Sequence, residues 1–323
     1  MRSSPRVRFH QSFFGRDFWE PSLAEFRIRE FRGRDIPKIL EIARLSFAEE
    51  MGLFGLGPAQ VGKMLFLHGL LFLAQLLRRK PRFKFFVAEE KGKPVGGTMI
   101  QWENNFAYIS AVMVHPKFRR RGIGRALVSE AVKVAFEYGA KKTILHVRED
   151  NLPAQNLYLS LGFQPFETRV NLLREASPLP QAKPLPPGFQ IVKSAPWEER
   201  AQKALRASRS PKALEVYGLP QPPRGINRLF SSPRKVLALL RNEDPLGLMS
   251  LYPGKVLQLR VHLAQEGVSE EVVQAFLIRG LRAAPRRKAL LRVNLENANV
   301  IKAAKRLGFQ EIGRDLGMVL WRA

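Results

Sequence analysis

The sequence predicts an α/β protein of the α+β kind, made of two similar halves. Each half is a mixed, mostly antiparallel sheet covered by helices. Three observations predict it. The chain has 323 residues, about two domains at ~150 residues each. Helical and strand periodicities alternate along it. And a segment near the end of the first half returns 146 residues later, placing Val147 over Val293, Asn151 over Asn297 and Leu161-Gly162-Phe163 over Leu307-Gly308-Phe309. A strand, an Asn-bearing turn, a helix and a Gly-Phe exit thus occur twice at one spacing. Two copies mean a duplicated domain, not a solenoid.

The elements follow in order. Residues 1–25 form a basic N-terminal extension; the first 16 carry four Arg, three Ser and no acid. Residues 36–50 have helical periodicity, with Ile36, Ile39, Leu40, Ala43 and Phe47 on one face. The apolar run 64–77 reads as a buried helix or subunit contact, with membrane-surface docking as the alternative. At 14 residues it is shorter than the ~18–20 a membrane span needs. Strands at 84–89 and 95–102 flank a turn at 90–94, a hairpin signal. Residues 108–114 are apolar and β-prone. Residues 123–138 form an amphipathic helix stopped by Gly139. A strand at 143–147 precedes a helix opened by Pro153 and closed at Gly162.

Residues 177–187 (SPLPQAKPLPP) hold five Pro in eleven positions, which suits an extended spacer and no helix or central strand. They divide the chain into 26–176 and 188–323. A second Pro cluster, 219–223, reads as a loop.

Charge is the unusual number. There are 54 Lys+Arg against 28 Asp+Glu, net +26. Residues 1–187 hold 30 basic and 17 acidic residues and residues 188–323 hold 24 and 11, so each half carries +13. That even spread argues against a single basic arm. It leaves three classes open: a nucleic-acid binder, a membrane-surface protein, or an enzyme for anionic ligands. The aromatic-interleaved stretch from Arg8 to Trp19 is a place where bases could stack. With no Cys, disulfides, thiolate metal sites and Cys nucleophiles are excluded, and a cytoplasmic location is expected.

The chemistry sits in Val112-Met113-Val114-His115-Pro116-Lys117-Phe118-Arg119-Arg120-Arg121-Gly122-Ile123-Gly124-Arg125. A strand ends, an Arg- and Gly-rich turn follows, and a helix begins. The glycines allow close backbone approach. The helix start offers unpaired N–H groups and a positive dipole end, together an anion site suited to pyrophosphate. A Walker-type loop needs Gly-Lys-Ser/Thr, but Arg125 and Ala126 follow Gly124. A dinucleotide fingerprint needs a third Gly where Leu127 stands. Downstream, Asn151, Ala154, Tyr158 and Gly162-Phe163 fit N-x-x-A-x-x-x-Y-x-x-x-G-F.

With both segments in this order, the sequence resembles the GNAT (N-acetyltransferase) superfamily. Arg119-x-x-Gly122-x-Gly124 is similar to its acyl-CoA motif, Val112-x-Val114-x-Pro116 to the preceding strand, and Asn151 to Phe163 to its second motif. The resemblance implies tandem GNAT-like domains and an acyl-CoA co-substrate, most simply acetyl-CoA, with an amine acceptor and no metal. It implies that backbone groups of Val112, Met113 and Val114 pair with the pantetheine arm. N–H groups from Arg120 through Arg121, Gly122, Ile123 and Gly124 to Arg125 would hold the pyrophosphate. Asn151 would touch the cofactor arm, and Tyr158 would protonate the departing thiolate. The family's base position falls near Ala111, and neither Ser110 nor Ala111 can serve. Glu103, His115, His146 and Glu149 are base candidates, directly or through water; His115 beside Pro116 reads rather as a loop residue, which leaves Glu103, His146 and Glu149.

The second copy has lost these groups. At the 146 offset Ala304 replaces Tyr158, and residues 264–271 are acidic with one Gly, a turn that repels pyrophosphate. It is expected to support the first copy or shape the acceptor site. The binding of a nucleic acid or other anionic partner, or acetylation of a nucleic-acid-bound or ribosomal substrate, is the alternative that the charge raises.

Overall fold

The computed structural model describes residues 26–48, 83–103, 105–220, 235–264 and 267–322. The 1–25 extension, the 64–77 run and most of the 219–223 cluster lie outside the described residues. The first half comprises β1 (Phe26–Glu30), α1 (Ile36–Ser46), β2 (Phe83–Glu90), β3 (Lys93–Glu103), β4 (Phe106–Val114), α2 (Ile123–Glu137), β5 (Lys142–Arg148), α3 (Leu152–Ser160) and β6 (Gln164–Arg174). The second comprises β7 (Phe189–Ser194), α4 (Glu199–Ser208), α5 (Pro211–Tyr217), β8 (Lys235–Arg241), β9 (Asp244–Tyr252), β10 (Leu257–Leu263), α6 (Glu270–Leu281), β11 (Ala289–Asn294), α7 (Ala298–Arg306) and β12 (Gln310–Trp321).

Two elements differ from the sequence expectation. β1 was not anticipated; its Phe26 and Ile28 alternate with Arg27 and Arg29, which both pair with Glu89. α1 stops at Ser46, because Phe47 leaves helical geometry at φ −134°. Phe47 still packs beside Ile39 and Ile42, so the apolar pattern outlasts the helix.

The two halves do not form two separate sheets. The twelve strands among the described residues make one sheet in the order β1-β2-β3-β4-β5-β12-β6-β11-β10-β9-β8-β7. Each half gives its last strand to the other: β12 pairs with β5, and β6 with β11. At the centre β6 and β12 run antiparallel with Arg169 opposite Asp315, residues 146 apart. That pair marks a pseudo-twofold axis. Pairs on either side map onto each other at the same offset, Asn171↔Gly313 onto Glu167↔Gly317, and the two bulges do likewise. The structural boundary therefore passes between β12 and β6, not along the 177–187 segment.

That segment is fastened down. Leu179, Ala182 and Leu185 pack on the second core. The buried Arg174 guanidinium donates to the carbonyls of Leu307 (2.8 Å), Ser177 (3.1 Å) and Pro178 (2.8 Å).

One face of the first half is covered by α2 and α3, whose Leu127, Ala131 and Tyr158 meet Ile109, Leu145, Val147 and Met318. The other face carries α1 over Val87 and Met113. Beside it lies α5, which comes from the second half and sets Val216 against Phe106, Ile144, Phe166 and Val319. Each half thus lends a strand to the sheet of the other, and the second half also lends a covering helix to the first.

Candidate active site

β4 and β5 are parallel neighbours that part company. They pair only at Phe106↔Lys142, Ala107↔Thr143 and Tyr108↔Ile144. Beyond that point β4 carries a bulge: Ala111 and Val112 stand opposite Thr98, between the Gly97↔Met113 and Met99↔Ser110 pairs. Ala111 holds φ at +53°, a conformation that costs a non-Gly residue roughly 1–3 kcal/mol and persists only where its surroundings enforce it. Thr98 Oγ1 donates to the Ser110 carbonyl at 3.2 Å across the bulge. The bulge turns the strand away, and a wedge opens between Val112–Val114 and the end of β5.

The turn into α2 stands at the mouth of that wedge. Gly122 is the N-cap at φ +77°, and a Cβ there would meet no heavy atom within 4 Å. The first intrahelical bond is Ala126 N–H to the Gly122 carbonyl at 3.0 Å. The N–H groups of Ile123, Gly124 and Arg125 therefore lack intrahelical acceptors and face outward at the positive end of the helix. Gly124 lets α2 and α3 close up, since a Cβ would lie 3.3 Å from Leu157 Cδ2. These features fit an extended ligand arm in the wedge and a pyrophosphate at the turn.

The arginines mostly build this turn. Arg119 Nε donates to the Val114 carbonyl at 3.2 Å. Arg121 pairs with buried Glu90 and lies over the Phe118 ring. Arg125 donates to Ser160 Oγ at 2.7 Å, tying α2 to α3. Arg120 takes φ +62°. His115 caps the short Pro116–Phe118 turn, accepting from Lys117 N–H at 3.3 Å.

On the α3 side, Asn151 is the N-cap and accepts from Ala154 N–H at 3.3 Å. Tyr158 is buried, its ring 6.0 Å from Phe163 in an edge contact. Its hydroxyl has no hydrogen-bond partner among the described residues. Burial pushes it up to about 12, with the nearby Tyr108 adding to the effect. It is a protonated donor at neutral pH.

The three base candidates fall in different places. Glu103 is exposed at the β3–β4 hairpin, paired with Phe106, roughly 13 Å of strand from Ser110 at 3.3 Å per residue. Glu149 is exposed just past β5, its carboxylate 4.0 Å from Arg314. His146 sits at the apex of the wedge, two residues beyond the last β4–β5 pair.

Around His146 lies a polar cluster that sequence reasoning missed. Tyr108 Oη is 3.0 Å from His146 Nδ1, and Glu167 Oε1 is 3.1 Å from Nε2. Tyr217 of α5 donates to Glu167 at 2.5 Å, and Arg169 stands 2.6 Å from the same carboxylate. Burial alone would raise Glu167, but Arg169, His146 and Tyr217 outweigh it and hold it at about 2. Burial and Arg169 push His146 down to about 4. Because Arg169 already balances the carboxylate, the imidazole stays neutral beside it. The only sequence signal was a run of polar residues on one face of β6, namely Glu167, Arg169 and Asn171.

The matching region of the second half is closed. β10 and β11 stay paired over five residues, from Leu257↔Ala289 to Val261↔Val293, and β10 has no bulge against β9. The α6 cap is Ser269, followed by Glu270 and Glu271. Glu270 binds Arg306 at 2.7 Å and Lys302 at 3.3 Å, so an internal carboxylate occupies that helix end. Ala304, at the Tyr158 position, is buried.

A split pair of parallel strands with a helix N-terminus at its mouth fits the GNAT-like fold that the sequence resemblance implies. Comparison with known proteins agrees. The acetyltransferase (GNAT) family pattern matches residues 60–163. An N-alpha-acetyltransferase of Sulfurisphaera tokodaii is 31% identical over 153 residues, covering 43% of this chain and 81% of that protein. The chain belongs to the GNAT acetyltransferase family. Two solved structures share the fold across 92% of this chain. One is a GCN5-related N-acetyltransferase from Sphaerobacter thermophilus, with TM-score 0.59, 15% identity and 96% of its own chain covered. The other is a tandem GNAT protein from the clavulanic acid biosynthesis pathway, with TM-score 0.55, 15% identity and 98% of its chain covered. Among the described residues no helix is long and apolar enough to cross a membrane.

Proposed function

We propose that the protein is an acyl-CoA-dependent N-acyltransferase, using acetyl-CoA, that transfers the acyl group directly to an amine. One co-substrate binds per chain, in the N-terminal half. The observation that carries this reading is the parting of β4 from β5 after Tyr108↔Ile144, forced by the Ala111 bulge, in that half alone. Backbone groups of Val112–Val114 pair with the pantetheine arm, and the first-turn N–H groups of α2 take the pyrophosphate. The thioester then lies at the inner end of the wedge, between Tyr158 and the His146 cluster. Tyr158 holds the proton that the departing thiolate receives.

The test is thiol release from acetyl-CoA against a panel of amines. The reading requires turnover that depends on both acetyl-CoA and an amine. Binding of acetyl-CoA with no turnover on any primary or secondary amine would contradict it.

A further inference from the structure

We propose that the C-terminal half completes the acetyl-transfer site of the N-terminal half: Gly317 of β12 and Tyr217 of α5 position Glu167 on His146, so that Tyr108 and His146 relay the proton leaving the acceptor ammonium. The inference rests on the acetyl-transfer reading above.

Because β12 is exchanged into the first half, it separates β5 from β6. His146 and Glu167 are both opposite Gly317. Their side chains meet across β12 because that position has none. A Cβ on Gly317 would lie 2.8 Å from Glu167 Cγ and 3.1 Å from the Phe166 ring. Tyr217 adds a second donor to the same carboxylate oxygen and stands 3.1 Å from His146 Nε2. Arg169 and Arg209 flank the Tyr217 ring, each 5.3 Å from its centroid.

This arrangement fixes the imidazole tautomer. An ionised Glu167 only accepts, so Nε2 carries the hydrogen and Nδ1 presents its lone pair to Tyr108 O–H. The groups facing His146 are Tyr108 from β4, Glu167 and Arg169 from β6, Asp315 from β12 and Tyr217 from α5. Tyr108 is the last β4 residue before the wedge and lies close enough to Tyr158 to perturb it.

In the proposed step the acceptor ammonium gives a proton to Tyr108 Oη as Tyr108 passes its own to His146 Nδ1. The imidazolium forms only transiently, oriented by its Nε2 bond to Glu167, whose charge Arg169 already balances. The free amine attacks the thioester carbonyl: a C–N bond forms and the C–S bond breaks. Tyr158 protonates the thiolate and regains a proton from the nitrogen, and His146 returns its proton to solvent. The second copy has no such relay, since Gln258 and Arg292 are joined to each other at 2.9 Å where Tyr108 and His146 stand in the first.

The experiment is long-range proton–nitrogen NMR on the 15N-labelled full chain, with and without CoA, with His146 assigned from a His146→Asn spectrum. Alongside it, kcat is measured across pH with the amine that wild type acetylates fastest. Wild type should show a neutral Nε2–H imidazole at pH 7. Gly317→Ala and Tyr217→Phe should mix the two tautomers and lower kcat about 10-fold, as losses of supporting contacts do, while acetyl-CoA affinity changes less than about 2-fold. Tyr217→Phe serves if Gly317→Ala does not fold. A charged or Nδ1–H imidazole in wild type overturns the relay. So does an unchanged tautomer in the variants, or an unchanged kcat when the tautomer is lost. Absence of acetyl-CoA binding in wild type would instead overturn the function, and the NMR result would stand apart from it.

Discussion

Tyr158→Phe removes one hydroxyl and leaves the ring that packs on Phe163. That hydroxyl donates to nothing among the described residues, so its loss strands no buried partner. Stability should change by less than about 0.5 kcal/mol, because the cost of an unmade hydrogen bond does not arise. Turnover is another matter. A positioned general acid contributes about 10²- to 10⁴-fold, or roughly 3–5 kcal/mol of barrier. Since burial holds the phenol at about 12, it stays protonated throughout the neutral range and has no alkaline limb there. The assays are thiol release at saturating acetyl-CoA, calorimetric affinity and thermal unfolding. We expect kcat to fall at least about 100-fold with affinity and Tm held. A kcat within about 3-fold of wild type, far below the range for general acids, would remove Tyr158 from the chemistry.

Three further outcomes follow from the same geometry. Gly122→Ala meets no steric contact but places a side chain at φ +77°, costing ~1–2 kcal/mol; calorimetry should show acetyl-CoA affinity down about 5- to 30-fold at that cost, and unchanged affinity would contradict the α2 turn as its site. Urea unfolding should weaken as pH falls. His146 is held at about 4 against an ordinary 6.5, so its stabilising contribution is complete above 6.5 and is lost towards 4, up to ~2 kcal/mol between pH 6.5 and 5. His262, also held low by burial, acts in the same direction, and a flat profile over that window would refute both. Arg174→Met strands the Leu307, Ser177 and Pro178 carbonyls, at a cost of about 2–3 kcal/mol seen in the urea midpoint, with faster proteolysis within 177–187.

Much of the first half was legible because its signals are local. The 112–125 segment, the Asn151–Phe163 segment and the strand–helix alternation need only neighbouring residues. The missing Gly-rich turn and the missing Tyr158 counterpart of the second copy were legible too, from the acids near Ser269 and from Ala304. What could not be read was which partner each strand chose. β6 and β12 occupy equivalent places in the repeat, so β5 meets equivalent residues whether it pairs with one or the other; the exchange leaves no mark in periodicity. The Ala111 bulge was hidden for a different reason, because a non-Gly residue gives no warning of positive φ. The His146 cluster joins residues 38, 71 and 21 positions apart, held together only by the exchanged strand and by α5. His146 was named as a base candidate, but its partners were beyond sequence reasoning.

The central claim is that one half of a duplicated protein keeps the acyl-CoA wedge and the other has closed it. Isothermal titration of acetyl-CoA into the full-length chain tests it most directly. The split β4–β5 pair and the zipped β10–β11 pair predict one molecule bound per chain. Two molecules per chain, or one that survives Gly122→Ala unchanged, would contradict it.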